Sequence, residues 1–325
     1  MNTSATSIDQ TPTIGMGGAV VAFDVGGTDT KAALFDASGT MLGLSRTPTP
    51  HKGSETATAV VDRLHELTEG FARDFPDVTP AAAGFLVPGL VDDEQGIGIH
   101  AANLNWTNVH FKQLAEDRLG LPVTFSHDVR GAGKAEFLLG AAEPFRDVVV
   151  LVIGTGIASA LFLGGRAHLA DGYAGEIGHS IVDPDGPLCP CGATGCLEAI
   201  ASAGAIARIY AERSGVTPDG AKDVLQRAAA GDPVAEAVWN EALDALALSI
   251  AQLAAVIAPQ AIVIGGGLAQ AGDALFVPLR ARVDAQLSFH RRPELIPARI
   301  GENAGLIGAA LLARELAERI AGASS

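Results

Sequence analysis

Asp24-Val25-Gly26-Gly27-Thr28-Asp29-Thr30-Lys31 joins two short apolar runs, Ala19 to Asp24 and Lys31 to Phe35. The runs read as strands and the glycine pair as the turn, with Met41 to Arg46 a third strand after Ser38-Gly39. Further along, Val148 to Ile153, Gly154-Thr155-Gly156 and Ser159 to Leu163 repeat that order and end on Gly164-Gly165. A repeated meander implies two related lobes. Ser54 to Arg73 has helical spacing at Val60, Leu64, Leu67 and Phe71, and Ala81 to Val87 returns as a strand ending at Pro88-Gly89. Phe111 to Leu119 and Gly131 to Leu139 read as helices around a strand from Pro122 to Ser126. Helices dominate Ala203 to Ala258, Ala261 to Ile264 is a buried strand, and Asn303 to Ile320 is a last amphipathic helix. The expected fold is a duplicated α/β one. Its expected parts are a disordered tail at 1–18, a smaller lobe of 19–126 with 303–322, and a larger lobe of 127–302.

The 325 residues are 48% hydrophobic and 18% charged, which excludes intrinsic disorder as a description of the whole. Lys and Arg number 22 against 37 Asp and Glu, a net charge of -15 that repels polyphosphate backbones, so no nucleic-acid partner is expected. A small phosphorylated ligand needs local devices instead: backbone N–H groups, a helix N-terminus, a lysine or Mg²⁺. The apolar stretch Ala245 to Ala258 falls short of a membrane span and reads as a buried helix. The first 18 residues carry no Lys or Arg, unlike a secretion signal, and a cytoplasmic location is the expectation.

Gly26 and Gly27 let a backbone approach a phosphate, Thr28 and Lys31 can donate to its oxygens, and Asp24 can hold Mg²⁺ through water. An ordinary Gly-Gly hairpin turn explains the same residues. Gly154, Thr155 and Gly156 sit in the equivalent place of the second repeat. Cys189, Cys191 and Cys196 fall within eight residues, with His179 upstream; three thiolates and an imidazole favour tetrahedral Zn²⁺ over free thiols. Four protein ligands leave no position for an activated water, so such a zinc is structural. Glu176 and Glu198 flank this loop, where carboxylates suit a polyhydroxylated ligand; each also reads as a surface acid. His127-Asp128 lies where a strand meets a helix, a ligand position in α/β folds and equally a helix cap.

Taken with Pro88-Gly89-Leu-Val-Asp92, Asn103-Leu-Asn-Trp106, Gly175-Glu-Ile-Gly-His179 and Gly265-Gly266-Gly267, these blocks resemble the ROK sugar kinases from about residue 19 to 320. The resemblance implies an actin-like ATPase (ribonuclease H-like) fold of two lobes with the active site in the cleft, a structural zinc, and ATP-dependent phosphorylation of a hexose hydroxyl. It makes Asp128 the catalytic base and Gly89, His127, Glu176, His179 and Glu198 the sugar side. Asn105 and Trp106 support that wall. Asp24, Gly26, Gly27, Thr28, Lys31 and Gly154 to Gly156 would serve ATP and Mg²⁺, with Gly265, Gly266 and Gly267 on the adenosine side. The family usually has Asn where this chain has His127, which bears on which sugar is accepted. ROK repressors carry an N-terminal helix-turn-helix, for which eighteen residues before Ala19 are too few. The expectation is therefore a Mg·ATP-dependent glucokinase, as a homodimer or homotetramer. N-acetylmannosamine, N-acetylglucosamine, mannose or fructose kinases and a sugar-sensing regulator are the alternatives.

Overall fold

Val-Val-Ala-Phe-Asp-Val forms β1 (Val20–Val25), buried at every position except Asp24, and turns back into β2 (Asp29–Phe35) and β3 (Met41–Pro48). The structure is a computed structural model that describes residues 12–101 and 104–323. α1 (Thr56–Asp74) buries Val60, Val61, Leu64 and Phe71, one face of a 3.6-residue period. β4 (Ala82–Val87) is buried throughout, as a strand covered on both faces must be. A small antiparallel sheet of β5 (Leu90–Asp92), β6 (Ile97–Ala101) and β7 (Trp106–Val109) precedes α2 (Phe111–Leu119), β8 (Val123–His127) and α3 (Asp128–Leu139). The main sheet runs β3-β2-β1-β4-β8, with β1, β4 and β8 parallel.

The next segment builds β9 (Val148–Ile153), β10 (Ile157–Leu163) and β11 (Arg166–His168), then α4 (Leu197–Ala201), α5 (Ala203–Ser214), α6 (Gly220–Ala229) and α7 (Pro233–Ile257). It closes with β12 (Ala261–Gly265), α8 (Asp273–Gln286) and β13 (Glu294–Pro297), before α9 (Ala304–Ala323). This sheet runs β11-β10-β9-β12-β13, so it repeats the first strand for strand, with an antiparallel meander and then two parallel strands. That is the duplicated, actin-like α/β fold expected.

Contacts divide the chain into Met1–Gly140 with Leu169–Ala174 and Glu302–Ser325, and Ala141–His168 with Gly175–Gly301. This differs from the expected boundary at 127. β8 pairs with β4 and α3 packs on α9, so His127 to Gly140 stays with the first unit. Residues 1–11 of the expected disordered tail lie outside the described residues. Residues 12–18 depart from the expectation: Ile14 is buried, its N–H donates to Gly39 O at 3.1 Å, and Gly17 N–H donates to Ala37 O at 3.0 Å. Arg314, only 3% exposed, donates to Gly15 O and, at 2.6 Å, to Asp36 O.

Phe85 anchors the first core, with edge-on contacts to Phe111 at 5.5 Å and Phe125 at 5.4 Å between ring centres. In the second unit, Asp232 caps α7 by accepting from Val234 and Ala235 N–H, and Pro233 fits the first turn because its missing N–H has no helical partner there. α7 is long and apolar enough to cross a membrane, yet Val238, Leu243, Leu246 and Ile250 fill this unit's core.

α9 lies so close to α3 that a Cβ on Gly308 would collide with the Gly131 carbonyl. Gly308→Ala gains about 1 kcal/mol of helix propensity, but overpacking against backbone costs about 1–3 kcal/mol or more. The clash should win, and thermal unfolding should show a midpoint lowered by roughly 5 °C. An unchanged or raised midpoint would mean that the helices separate freely.

Candidate active site

Three parallel strands of the first unit end at one edge of the sheet, because β1 pairs Asp24 with Leu86 and β4 pairs Val87 with His127. Carboxyl ends of parallel strands are where α/β sheets bind ligands. Asp24, the Pro88-Gly89 turn and His127-Asp128 therefore gather there. Gly89 has φ +96°, and a Cβ would strike the His100 carbonyl, so its lack of a side chain is structural.

The β1–β2 turn is fixed from behind. Thr49 Oγ1 donates to Gly26 O at 2.8 Å, Thr49 N–H donates to Thr28 O at 2.8 Å, and His51 Nε2 lies 2.9 Å from Gly27 O. Gly26 does not adopt a left-handed φ, and a Cβ there would meet only the turn's own Asp29 carbonyl, so its lack of a side chain keeps the turn tight. Lys31 Nζ donates to Glu302 O at 2.6 Å, just before α9, rather than standing unengaged as a phosphate donor. The Asp24 carboxylate packs against Gly305 in the first turn of α9, where a Cβ would collide with it. Burial, and then repulsion from Asp128, push the Asp24 pKa up to about 6 against the pull of Lys31. A half-buried carboxylate crowded by a second one is suited to a cation such as Mg²⁺.

Asp128 opens α3. His127 is the residue that caps the helix, its Nδ1 accepting from Val129 N–H at 3.2 Å, while Asp128 Oδ1 accepts from the same N–H at 2.7 Å. The Asp128 side chain is 29% exposed. Burial raises its pKa to about 6, against the Val129 hydrogen bond and the charge of Arg130. Arg130 and Asp93 escaped the sequence reading. Arg130 Nη2 donates to Asp93 Oδ1 at 2.8 Å, and Asp93 Oδ2 accepts from Ser126 Oγ at 2.6 Å. Trp106, 4% exposed, packs edge-on to Phe111 in the core, and Asn103 lies outside the described residues.

The second unit repeats the logic. Gly154 N–H donates to Gly156 O at 2.9 Å in the β9–β10 turn, and Ala203 N–H donates to Gly154 O at 2.9 Å. β12 pairs Gly265 with Val152, and Gly266, at φ +82°, lies against Ile153 where no Cβ fits. Gly154, Thr155 and Gly156 and Gly265, Gly266 and Gly267 thus share one sheet edge. Glu198 Oε2 accepts from Ile157 N–H at 2.8 Å and fills the space beside Gly156, so one of its oxygens is committed to that turn. Gly175 and Gly178 press the Glu176–His179 segment onto β10; a Cβ at either would strike Ser159 O or Ile157 O.

The ligand atoms of His179, Cys189, Cys191 and Cys196 all lie within 4.8 Å of one another. Cys189 Sγ is 3.7 Å from His179 Nδ1, and Cys191 Sγ is 3.6 Å from Cys196 Sγ. Zn–S bonds of about 2.3 Å in a tetrahedron need sulfurs roughly 3.8 Å apart. The donor set fits zinc. Burial and neighbouring thiols push Cys196 up to about 12, so a cation is what would hold it as a thiolate.

The ROK family model matches residues 20–316. A glucokinase of Streptomyces coelicolor is 33% identical over 320 residues, 92% of this chain and 98% of that protein. An N-acetylmannosamine kinase of Escherichia coli is 33% identical over 299 residues, 90% of this chain and 98% of that protein. The structure of a ROK family glucokinase from Streptomyces griseus, in complex with glucose and AMPPNP, matches with a TM-score of 0.78 at 30% identity, covering 92% of this chain and all of that one.

Proposed function

The chain belongs to the ROK family, and from that membership we propose an ATP-dependent kinase of the 6-hydroxyl of a hexose, with glucose the foremost substrate. The observation that carries the reading is Asp128: a recessed carboxylate at the mouth of a parallel sheet, at a helix start, tuned toward neutrality. In the proposed reaction the sugar O6 bonds to the γ-phosphorus as the bond to the β–γ bridging oxygen breaks. Asp128 accepts the hydroxyl proton and ADP leaves. A loose transition state releases that proton late, so a pKa near 6 suffices. Gly89, His127, Glu176, His179 and the remaining oxygen of Glu198 would be the sugar contacts.

The glycine turns at Gly26-Gly27-Thr28 and Gly154 to Gly156 would bind phosphates, and Gly265 to Gly267 would lie by the adenosine. Lys31, held by Glu302 O, would act by charge at a distance more than by contact. Bound with ATP through Asp24 and water, Mg²⁺ would neutralise the β- and γ-phosphate oxygens. Zinc would hold the loop that carries His179 and precedes Glu198. The enzyme is proposed to be cytoplasmic and dimeric or larger; a light-scattering mass of one 33.1 kDa chain would overturn the assembly.

An ADP-release assay across glucose, N-acetylmannosamine, N-acetylglucosamine, mannose and fructose, with ATP or polyphosphate as donor, tests the reading. Two relatives of different sugar preference share the same 33% identity with this chain, so the panel decides the sugar. Turnover of none would favour a sugar-sensing regulator. A base with its pKa raised to about 6 must ionise to work, so kcat/KM should fall below about pH 6, tenfold per unit for one ionisation. An acid limb near the ordinary aspartate range, about pH 4, would contradict the assignment.

A further inference from the structure

Arg130 lies two residues beyond Asp128, and its guanidinium ties together separate segments of the first unit. Nη1 donates to Gly172 O at 3.0 Å, while Nη2 donates to Val91 O at 2.9 Å and to Asp93 Oδ1 at 2.8 Å. The Arg130 and Asp93 side chains are 7% and 16% exposed, and Arg130 Nε has no hydrogen-bond partner among the described residues. Such a charge stays buried only because its remaining donors are well paired.

The Asp93 carboxylate holds two groups at once. Oδ1 takes Arg130, and Oδ2 takes the hydroxyl of Ser126 on β8. Ser126 is two residues before Asp128 and Arg130 two after it, so one carboxylate brackets the strand-to-helix junction that presents residue 128. Gly172 belongs to the segment Leu169–Ala174, which passes through three consecutive left-handed residues: Ala170 at φ +47°, Asp171 at +53° and Gly172 at +89°. Two of the three carry a Cβ, a strained backbone that persists only where its surroundings over-determine it. A Cβ on Gly172 would strike Val91 O, so the strap lies flat on β5 under the Arg130 donor.

We propose that Arg130, clamped by Asp93, is a positioning residue that fixes the β8–α3 junction and the 169–174 strap in one arrangement, and so aims Asp128 at the acceptor hydroxyl. The proposal rests on the reading of Asp128 as the base. Neither residue touches substrate in this account, and both act through the aim of the carboxylate. Misplacing a reacting group by about 1 Å costs on the order of a hundredfold in rate, whereas a purely structural role would lower the folded fraction and leave the turnover of folded molecules intact.

The experiment compares wild type, Arg130→Met, Arg130→Lys and Asp93→Asn by kcat, by KM for sugar and for ATP, and by melting temperature, with rates scaled to folded protein. Arg130→Met should lose about a hundredfold in kcat with KM for ATP within about twofold. Arg130→Lys keeps the charge but reaches fewer acceptors, and should recover to within about tenfold of wild type. Asp93→Asn can still accept from Ser126 but gives up the ion pair, and should fall between the two. If Arg130→Met does not fold, the other two variants carry the test. Folded variants with kcat within about twofold of wild type would overturn the proposal and leave the kinase reading standing. Wild type inactive on every sugar, or Asp128→Asn fully active, would instead sink the reading on which the proposal rests.

Discussion

Asp128→Asn is expected to cut kcat by between about a hundredfold and ten thousandfold, the range that a general base contributes, while the sugar still binds measurably by calorimetry. Asn is nearly isosteric, and its amide oxygen can still accept from Val129 N–H, so the first turn of α3 keeps its bond. The variant should be no less stable than wild type at neutral pH. The carboxylate pKa is raised to about 6 by burial, so the ionised form opposes folding. Relative stability from such a group is present below its unfolded value of 3.8 and is lost as pH rises through about 6. Removing the charge therefore helps at pH 7 and ceases to help toward pH 4, and relief of the repulsion on Asp24 acts in the same direction. Near-normal turnover would remove Asp128 from its role. A melting midpoint lowered at pH 7 would show that the ionised carboxylate supports the fold.

Loss of the metal should have the second largest effect. Between the short 3₁₀ turn at Ile177–His179 and α4, the loop from Ser180 to Cys196 is ordered by isolated bridges, Ile181 to Cys196 and Leu188 to Thr194, and by hydrogen bonds such as Cys189 N–H to Ala193 O at 2.8 Å. Segments so thinly paired open readily unless something else supplies their stability. Structural zinc supplies folding energy outright. Cys191→Ser, or prolonged chelation, should lower the melting midpoint by roughly 10 °C, as a loss of about 3–5 kcal/mol does in a unit of this size. Turnover should fall with it, because Cys196 immediately precedes α4 and Glu198 lies in that helix's first turn. Elemental analysis should find one zinc per chain in wild type and little in the variant. Wild-type protein purified without chelator and free of zinc would defeat the claim.

Much of this was legible in the sequence for identifiable reasons. The strand ends carry Gly and Asp where backbone must turn or approach a ligand, so Asp24 and both glycine turns stand out by type and spacing, whereas Gly89 and Asp128 are singled out by the family resemblance. Three cysteines so close together need a cause, and the structure brings His179 to them. The small sheet β5–β7 did not stand out, because its strands run three to five residues with a mixed pattern. Arg130 read as one more helix cation; its meaning depends on Val91, Asp93 and Gly172, which no local pattern connects to it. The boundary at 127 was misjudged for a similar reason, since what keeps β8 and α3 in the first unit is pairing with β4 and packing on α9, a helix from the far end of the chain.

That late helix orders events on the ribosome. α9 packs on β1, β4 and α3, and the sheet it covers is synthesised first, so nascent chain from Val20 onward waits with an apolar face open until α9 is made. The unit formed by Ala141–His168 and Gly175–Gly301 is fully synthesised before α9 and can mature earlier. A premature stop near Gly301 would thus spare the later-encoded half and leave the earlier one unfinished, exposed to chaperones and proteases.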